Sequence, residues 1–147
     1  MENLNAHTVC DILVVDDSLA NREMLTQYLG NAGYTVMSTK DGQEALEIVN
    51  ECHPNLILMD IMMPGIDGLE VCKKIKSDPG SAQIPIIFMS ALGEALGKVR
   101  AFEAGAVDYV TKPFHASEML ARVKTHLGLY ELQNKLEEQV AERTSAL

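Results

Sequence analysis

The chain of 147 residues contains no tryptophan, only 5% aromatic residues and three cysteines, and each shortage narrows what it can be. Cys10, Cys52 and Cys72 are odd in number and form no CxxC pair, which fits neither a disulfide framework nor a cysteine zinc site. A reducing compartment suits them. Cys52 and Cys72 fall among apolar positions of helical period and read as small core residues. Positive charge is also scarce: 12 basic residues against 21 acidic ones leave a formal net charge of -9. A field of that sign repels phosphate backbones and anionic lipid, so neither nucleic acid nor membrane is an expected partner. No apolar run approaches the roughly 18 residues of a membrane span, and the opening MENLNAHTVCDILVV lacks a basic signal region, so the expected location is cytoplasmic. His7, His53, His115 and His126 are scattered, none forms a metal or catalytic constellation with another, and all four read as incidental.

What is present is a 47% hydrophobic chain, enough for one core. From Asp11 to about Leu127, short apolar runs alternate with longer segments of helical period, the pattern of an α/β fold with a parallel sheet wrapped by helices. Strands are expected at Ile12 to Val15, Thr35 to Ser38, Leu56 to Met59, Ile86 to Met89 and Tyr109 to Val110. Helices are expected to start near Ser18, Asp41, Gly68, Glu94 and His115, the first with Leu25, Tyr28 and Leu29 on one face. Turn residues agree: Asn31-Ala32-Gly33 ends one helix, Asp41-Gly42 begins another and Asp78-Pro79-Gly80 closes a third.

The organisation expected is a tail over residues 1–10, a globular domain over 11–127 and a helical segment over 128–147. In that last segment Leu129, Leu132, Leu136, Val140 and Leu147 carry an apolar stripe on an otherwise charged helix. The stripe is too narrow for a globular core, and its spacing of three, four and four lies nearer an eleven-residue repeat than a strict heptad. A linker helix that pairs with a second chain is expected, with a solvated extension of the last helix as the alternative. The sequence ends at Leu147 without a helix stop signal, so an output domain is expected beyond it.

In an open parallel sheet, functional groups gather beyond the carboxyl ends of the strands, where the strand order reverses. Asp16 and Asp17 follow the first expected strand, Asp60 the third, Ser90 the fourth and Lys112 the fifth. Any one of the carboxylates could be a helix cap. Their convergence at one sheet edge calls for more. Three carboxylates at close range repel one another and remain ionised only with a cation nearby. Mg²⁺ suits a couple of carboxylates plus water and phosphate oxygens, and there are too few acids for a calcium cage. One carboxylate is then left as a nucleophile toward a phosphoryl donor, with the metal and Lys112 neutralising the transferred group.

The segments LVVDDS at 13–18, LILMDIMMPGIDG at 56–68, PIIFMSA at 85–91 and GAVDYVTKPF at 105–114 occur in order at these strand ends. With them the chain closely resembles the receiver domain of two-component response regulators, over roughly Asp11 to Leu127. The resemblance implies a flavodoxin-like, doubly wound five-stranded sheet of order 2-1-3-4-5, here with an extended C-terminal helix. It implies Asp60 as phosphoacceptor, Asp16 and Asp17 as the acidic pair that holds Mg²⁺, and the backbone carbonyl of Met62 as a further metal ligand. Ser90 matches the switch hydroxyl, Tyr109 the aromatic that turns inward with it, and Lys112 the phosphate-contacting lysine, with a cis bond to Pro113. Met62 and Leu92 stand where some fast-decaying receivers carry acid or amide side chains, which implies a longer-lived aspartyl phosphate.

The implied donor is a sensor histidine kinase or a histidine phosphotransfer protein, and the implied action is a switch, not an enzyme turning over a substrate of its own. The moving element expected is the fourth helix, softened by Gly93 and Gly97. Glu142 to Thr144 in a helical setting resembles signalling helices that join sensory modules to cyclases or histidine kinases, which again points to a homodimer through the C-terminal helix. A haloacid-dehalogenase phosphatase would need a DxD spacing that Asp16-Asp17 lacks, and a flavodoxin would need a Ser/Thr-rich phosphate loop after Val15. The serious rival is a receiver-like interaction module that is never phosphorylated.

Overall fold

The apolar runs form a parallel sheet. The structure is a computed structural model that describes residues 10–61, 67–91 and 95–146, with the side chains of 95, 96 and 138–146 outside the description. Along the chain come β1 (Ile12–Val15), α1 (Leu19–Asn31), β2 (Val36–Thr39), α2 (Gly42–Cys52) and β3 (Leu56–Asp60). They are followed by α3 (Gly68–Ser77), β4 (Ile86–Ser90), α4 (Ala95–Glu103), β5 (Asp108–Thr111) and α5 (Ala116–Ala146). All strand pairs are parallel and the order is β2-β1-β3-β4-β5, the flavodoxin-like winding expected from the sequence.

Successive strand side chains point to opposite faces, so each strand feeds two cores. Leu13, Val15, Ile57, Met59, Ile86 and Phe88 pack with α2, α3 and α4, while Ile12, Val14, Leu56, Leu58, Ile87 and Met89 pack with α1 and α5. Both faces are covered, which is why β1, β3 and β4 read as unbroken apolar runs. Each such side chain contributes about 1.5–3 kcal/mol on leaving water, an upper bound set by an extended unfolded chain.

Helix starts follow their caps. Ser18 Oγ accepts from the Asn21 N–H at 3.3 Å, Asp41 Oδ1 from Gln43 at 2.9 Å and Asp67 Oδ1 from Leu69 at 2.9 Å. Two expectations need correction. Strand β2 begins one residue late, because Thr35 is tied to Asp11 instead: its N–H donates to Asp11 Oδ2 at 2.8 Å and its carbonyl accepts from Asp11 and Ile12. Tyr28 is exposed; it lies off the line of Leu25 and Leu29, which are fully buried. Cys72 is buried in the core, Cys52 is half-buried against it, and Cys10 is buried at the foot of β1.

Helix α5 runs unbroken for 31 residues, about 46 Å at 1.5 Å per residue. Its first four turns bury Met119, Val123 and Leu127, whereas Leu129, Leu132 and Leu136 are more than half exposed. No helix among the described residues is long and apolar enough to cross a membrane.

Candidate functional site

Strands β1 and β3 are neighbours with Val15 opposite Met59, which brings Asp16 and Asp17, just after β1, beside Asp60, the last residue of β3. One carboxylate oxygen from each of Asp16, Asp17 and Asp60 lies within 4.8 Å of the others. Asp16 is fully buried, Asp60 is 6% exposed and Asp17 faces solvent. Lys112 reaches across from the end of β5, its Nζ 2.8 Å from Asp16 Oδ2 and 3.4 Å from Asp60 Oδ2. Burial pulls the Lys112 ammonium down, but the hydrogen bond to Asp16 and the charges of Asp60 and Asp16 outweigh it, and the net shift is upward. The lysine is charged and bridges two buried acids. Its bond to Pro113 is cis, as the resemblance implied.

Each carboxylate is anchored locally. Asp16 Oδ1 accepts from the Ser18 N–H at 2.9 Å, Oδ2 accepts from Asn21 Nδ2 at 3.2 Å, and the Asp16 carbonyl accepts from Arg22 at 2.8 Å. Asp60 is fixed by the strand ladder opposite Met89. Immediately after it the chain passes so close to the start of α3 that a Cβ on Gly68 would stand 2.3 Å from the Asp60 carbonyl oxygen. Only glycine fits there.

Ser90 closes β4 beside Asp60, half-buried, and its carbonyl accepts from the Lys112 N–H. Tyr109 is buried in the core shared with α3 and α4, and Lys98 of α4 lies 5.9 Å from its ring centre. Met62, Leu92 and Gly93 lie outside the described residues.

The family model for the response regulator receiver domain matches residues 12–124. The chain belongs to that family. Among curated relatives, it is 40% identical over 116 residues to the DNA-binding dual master transcriptional regulator RpaA of Synechocystis sp., covering 79% of this chain and 48% of that protein. It is 41% identical over 116 residues to the phosphate regulon transcriptional regulatory protein PhoB of Pseudomonas aeruginosa, covering 79% and 51%. A response regulator receiver domain protein (CheY-like) from Methanospirillum hungatei superposes with a TM-score of 0.79 at 27% identity, covering 86% of this chain and 99% of that one. The receiver thus spans about half the length of the curated relatives it matches, which are named as regulators of transcription. It is a phosphoacceptor module of two-component signalling, a family that binds Mg²⁺ in an acidic pocket.

The receiver brings four of the expected site residues into one contact network: Asp16, Asp17, Asp60 and Lys112. Ser90 stands at its rim and Tyr109 behind the sheet edge, toward α4. Sequence reasoning missed Asn21 and Arg22, which hold Asp16, and it took Gly68 for a helix start without seeing the close approach. It also read His126 as incidental. His126 Nε2 lies 3.1 Å from Asp108 Oδ2, and Arg122 donates to both oxygens of the same carboxylate at 2.7 and 2.8 Å, tying α5 to β5 next to Tyr109. Burial pushes the Asp108 carboxyl up, but hydrogen bonds from Arg122, the Tyr109 N–H and His126 hold it below the usual range.

Proposed function

We propose that Asp60 is the residue that takes the phosphoryl group, with Mg²⁺ held by Asp16, Asp17, Asp60 and the Met62 carbonyl, and that Ser90, Tyr109 and Lys112 convert the modification into a change of shape. The observation that carries this reading is the set of three carboxylates within 4.8 Å under one bridging lysine. Hard oxygen donors, two of them buried, fit Mg²⁺ and would not coexist ionised without positive charge. When bound, the ion offsets the carboxylate charge and the charge of the transferred group.

An Asp60 carboxylate oxygen attacks phosphorus, the bond from phosphorus to the donor's imidazole nitrogen breaks, and the histidine keeps that electron pair and takes up a proton. A phosphohistidine on a sensor kinase or a phosphotransfer protein is the donor that fits this step. Lys112 releases Asp16 and turns to the new anion, and the Ser90 hydroxyl donates to it. A hydrogen bond to a charged group is worth about 1.5–3 kcal/mol, enough to shift a two-state equilibrium roughly ten- to a hundredfold. Tyr109 and Lys98 carry the change to α4, whose Gly97 keeps the helix soft.

The functional parts are then a tail at 1–10, a receiver at 11–127 and a linker helix at 128–147 that pairs with a second copy and leads to an output domain. At 100° per residue, Leu129, Leu132 and Leu136 point about 150° away from Met119, Val123 and Leu127, so the receiver's own body leaves the stripe uncovered. The acidic balance supports a receiver that itself binds neither nucleic acid nor membrane, the cytoplasm is the location that fits its three unpaired cysteines, and no catalytic turnover is assigned to these residues.

The test is incubation with acetyl phosphate and Mg²⁺, read by intact mass. Wild type gains one phosphoryl group and Asp60→Asn gains none; equal uptake by both would overturn the assignment.

A further inference from the structure

Asn21 lies in the first turn of α1, third after the cap Ser18, where a capping box would place a Glu or Gln reaching back to the cap. Its short amide goes elsewhere. Nδ2 donates to Asp16 Oδ2 at 3.2 Å, the same oxygen that takes Lys112 Nζ at 2.8 Å, while the Ser18 N–H holds Oδ1 at 2.9 Å. The fully buried Asp16 carboxylate is therefore gripped at both oxygens. Lys112 is shared: its Nζ also lies 3.4 Å from Asp60 Oδ2, so an anion arriving on Asp60 draws it away from Asp16. Once it departs, Asn21 is the side-chain donor that remains on Oδ2, and with the Ser18 N–H it stops the carboxylate from rotating. The choice of an amide matters, because a neutral donor orients the acid without adding positive charge that would compete with a cation.

We propose that Asn21 is a positioning residue: it holds the Asp16 carboxylate in ligating orientation and thereby sets the affinity of the acidic cluster for Mg²⁺. The inference rests on the reading of the site given above. Outer partners that orient metal ligands typically change metal affinity by about ten- to a hundredfold when removed, and the lower end suits a carboxylate that keeps its Ser18 contact.

The full chain is titrated with MgCl₂ by calorimetry, without any phosphoryl donor, as wild type, Asn21→Ala and Asn21→Gln. Alanine is the better helix former, so α1 should persist. A cavity of about 330 Å³ bordered by Asn21, Met24, Ala91 and Lys112 gives the longer Gln amide room to turn back. Asn21→Ala should weaken Mg²⁺ binding about tenfold, and Asn21→Gln should recover at least half of that loss on a logarithmic scale. With acetyl phosphate, Asn21→Ala should need correspondingly more Mg²⁺ for half-maximal labelling yet reach the wild-type rate at saturation. Unchanged Mg²⁺ affinity in Asn21→Ala, no recovery with Gln, or a collapsed saturating rate at unchanged affinity would each overturn the proposal. Should Asn21→Ala not fold, Asn21→Leu, which keeps the bulk and removes the donor, replaces it with the same outcomes. Wild type failing to bind Mg²⁺ would sink the reading of the site itself; a responsive wild type with indistinguishable variants would sink only the role of Asn21.

Discussion

Adding one methyl group at Gly68 should damage both the fold and the acceptor. A Cβ there would stand 2.3 Å from the Asp60 carbonyl oxygen, 3.1 Å from Ile61 Cα and 3.2 Å from the Asp60 carbonyl carbon. All three are backbone atoms. They have little freedom to retreat, since the Gly68 N–H donates to the Ile61 carbonyl at 2.9 Å and Asp60 is held in the β3–β4 ladder. Overpacking of this kind costs about 1–3 kcal/mol, and contact with main chain belongs at the top of that range. Replacing glycine by alanine in a helix returns up to about 1 kcal/mol. The net expectation for Gly68→Ala is a loss of about 2 kcal/mol, or about 6 °C in Tm for a chain of this length. Urea unfolding read by circular dichroism measures it. The strain is relieved by moving the Asp60 main chain, so labelling with acetyl phosphate should also slow at saturating Mg²⁺. A Gly68→Ala protein as stable as wild type, labelled at the wild-type rate, would refute the reasoning.

Lys112→Met leaves Asp16 and Asp60 without their shared cation. Loss of one buried partner costs about 3–5 kcal/mol, so stability in EDTA should fall by about 3 kcal/mol, with part of it restored by Mg²⁺. Equal losses with and without the ion in urea titrations would count against the shared-cation picture. Asp108 titrates below its ordinary range when folded, so its contribution is complete above the unfolded carboxylate pKa of about 3.9 and is lost as pH falls toward the folded value. Asp108→Asn should therefore lower neutral-pH stability and flatten the acid limb of the stability curve below about pH 4, while an unchanged limb would remove Asp108 as its source. Sedimentation velocity should show a dimer for the full chain and a monomer without residues 128–147 or in Leu132→Lys; monomers throughout would end the pairing assigned to the exposed stripe.

What could be read in advance depended on whether a residue's role is local. The unbroken runs of β1, β3 and β4 announce a parallel sheet because burial on both faces tolerates no polar alternation. Asp16, Asp17, Asp60 and Lys112 were legible for a related reason: the fold sends strand ends to one edge, so position along the chain gives position in space. The late start of β2 was not legible, since it comes from an Asp11 side chain meeting Thr35 across 24 residues. Arg122, His126 and Asp108 find one another only because α5 lies over β5, and no local pattern announces that. Asn21 is five residues from Asp16, close enough to suspect. Nothing in its place in the first turn of α1 announces that its amide turns back to the carboxylate.

The central claim is that crowded carboxylates, offset by positive charge, direct an incoming phosphoryl group to one of them. Borohydride reduction of the labelled full chain, followed by peptide mass mapping, reads the acceptor directly. Conversion at position 60 alone, present with Mg²⁺ and absent in EDTA, is the predicted result. Conversion at Asp16 or Asp17, or labelling indifferent to the ion, would contradict it.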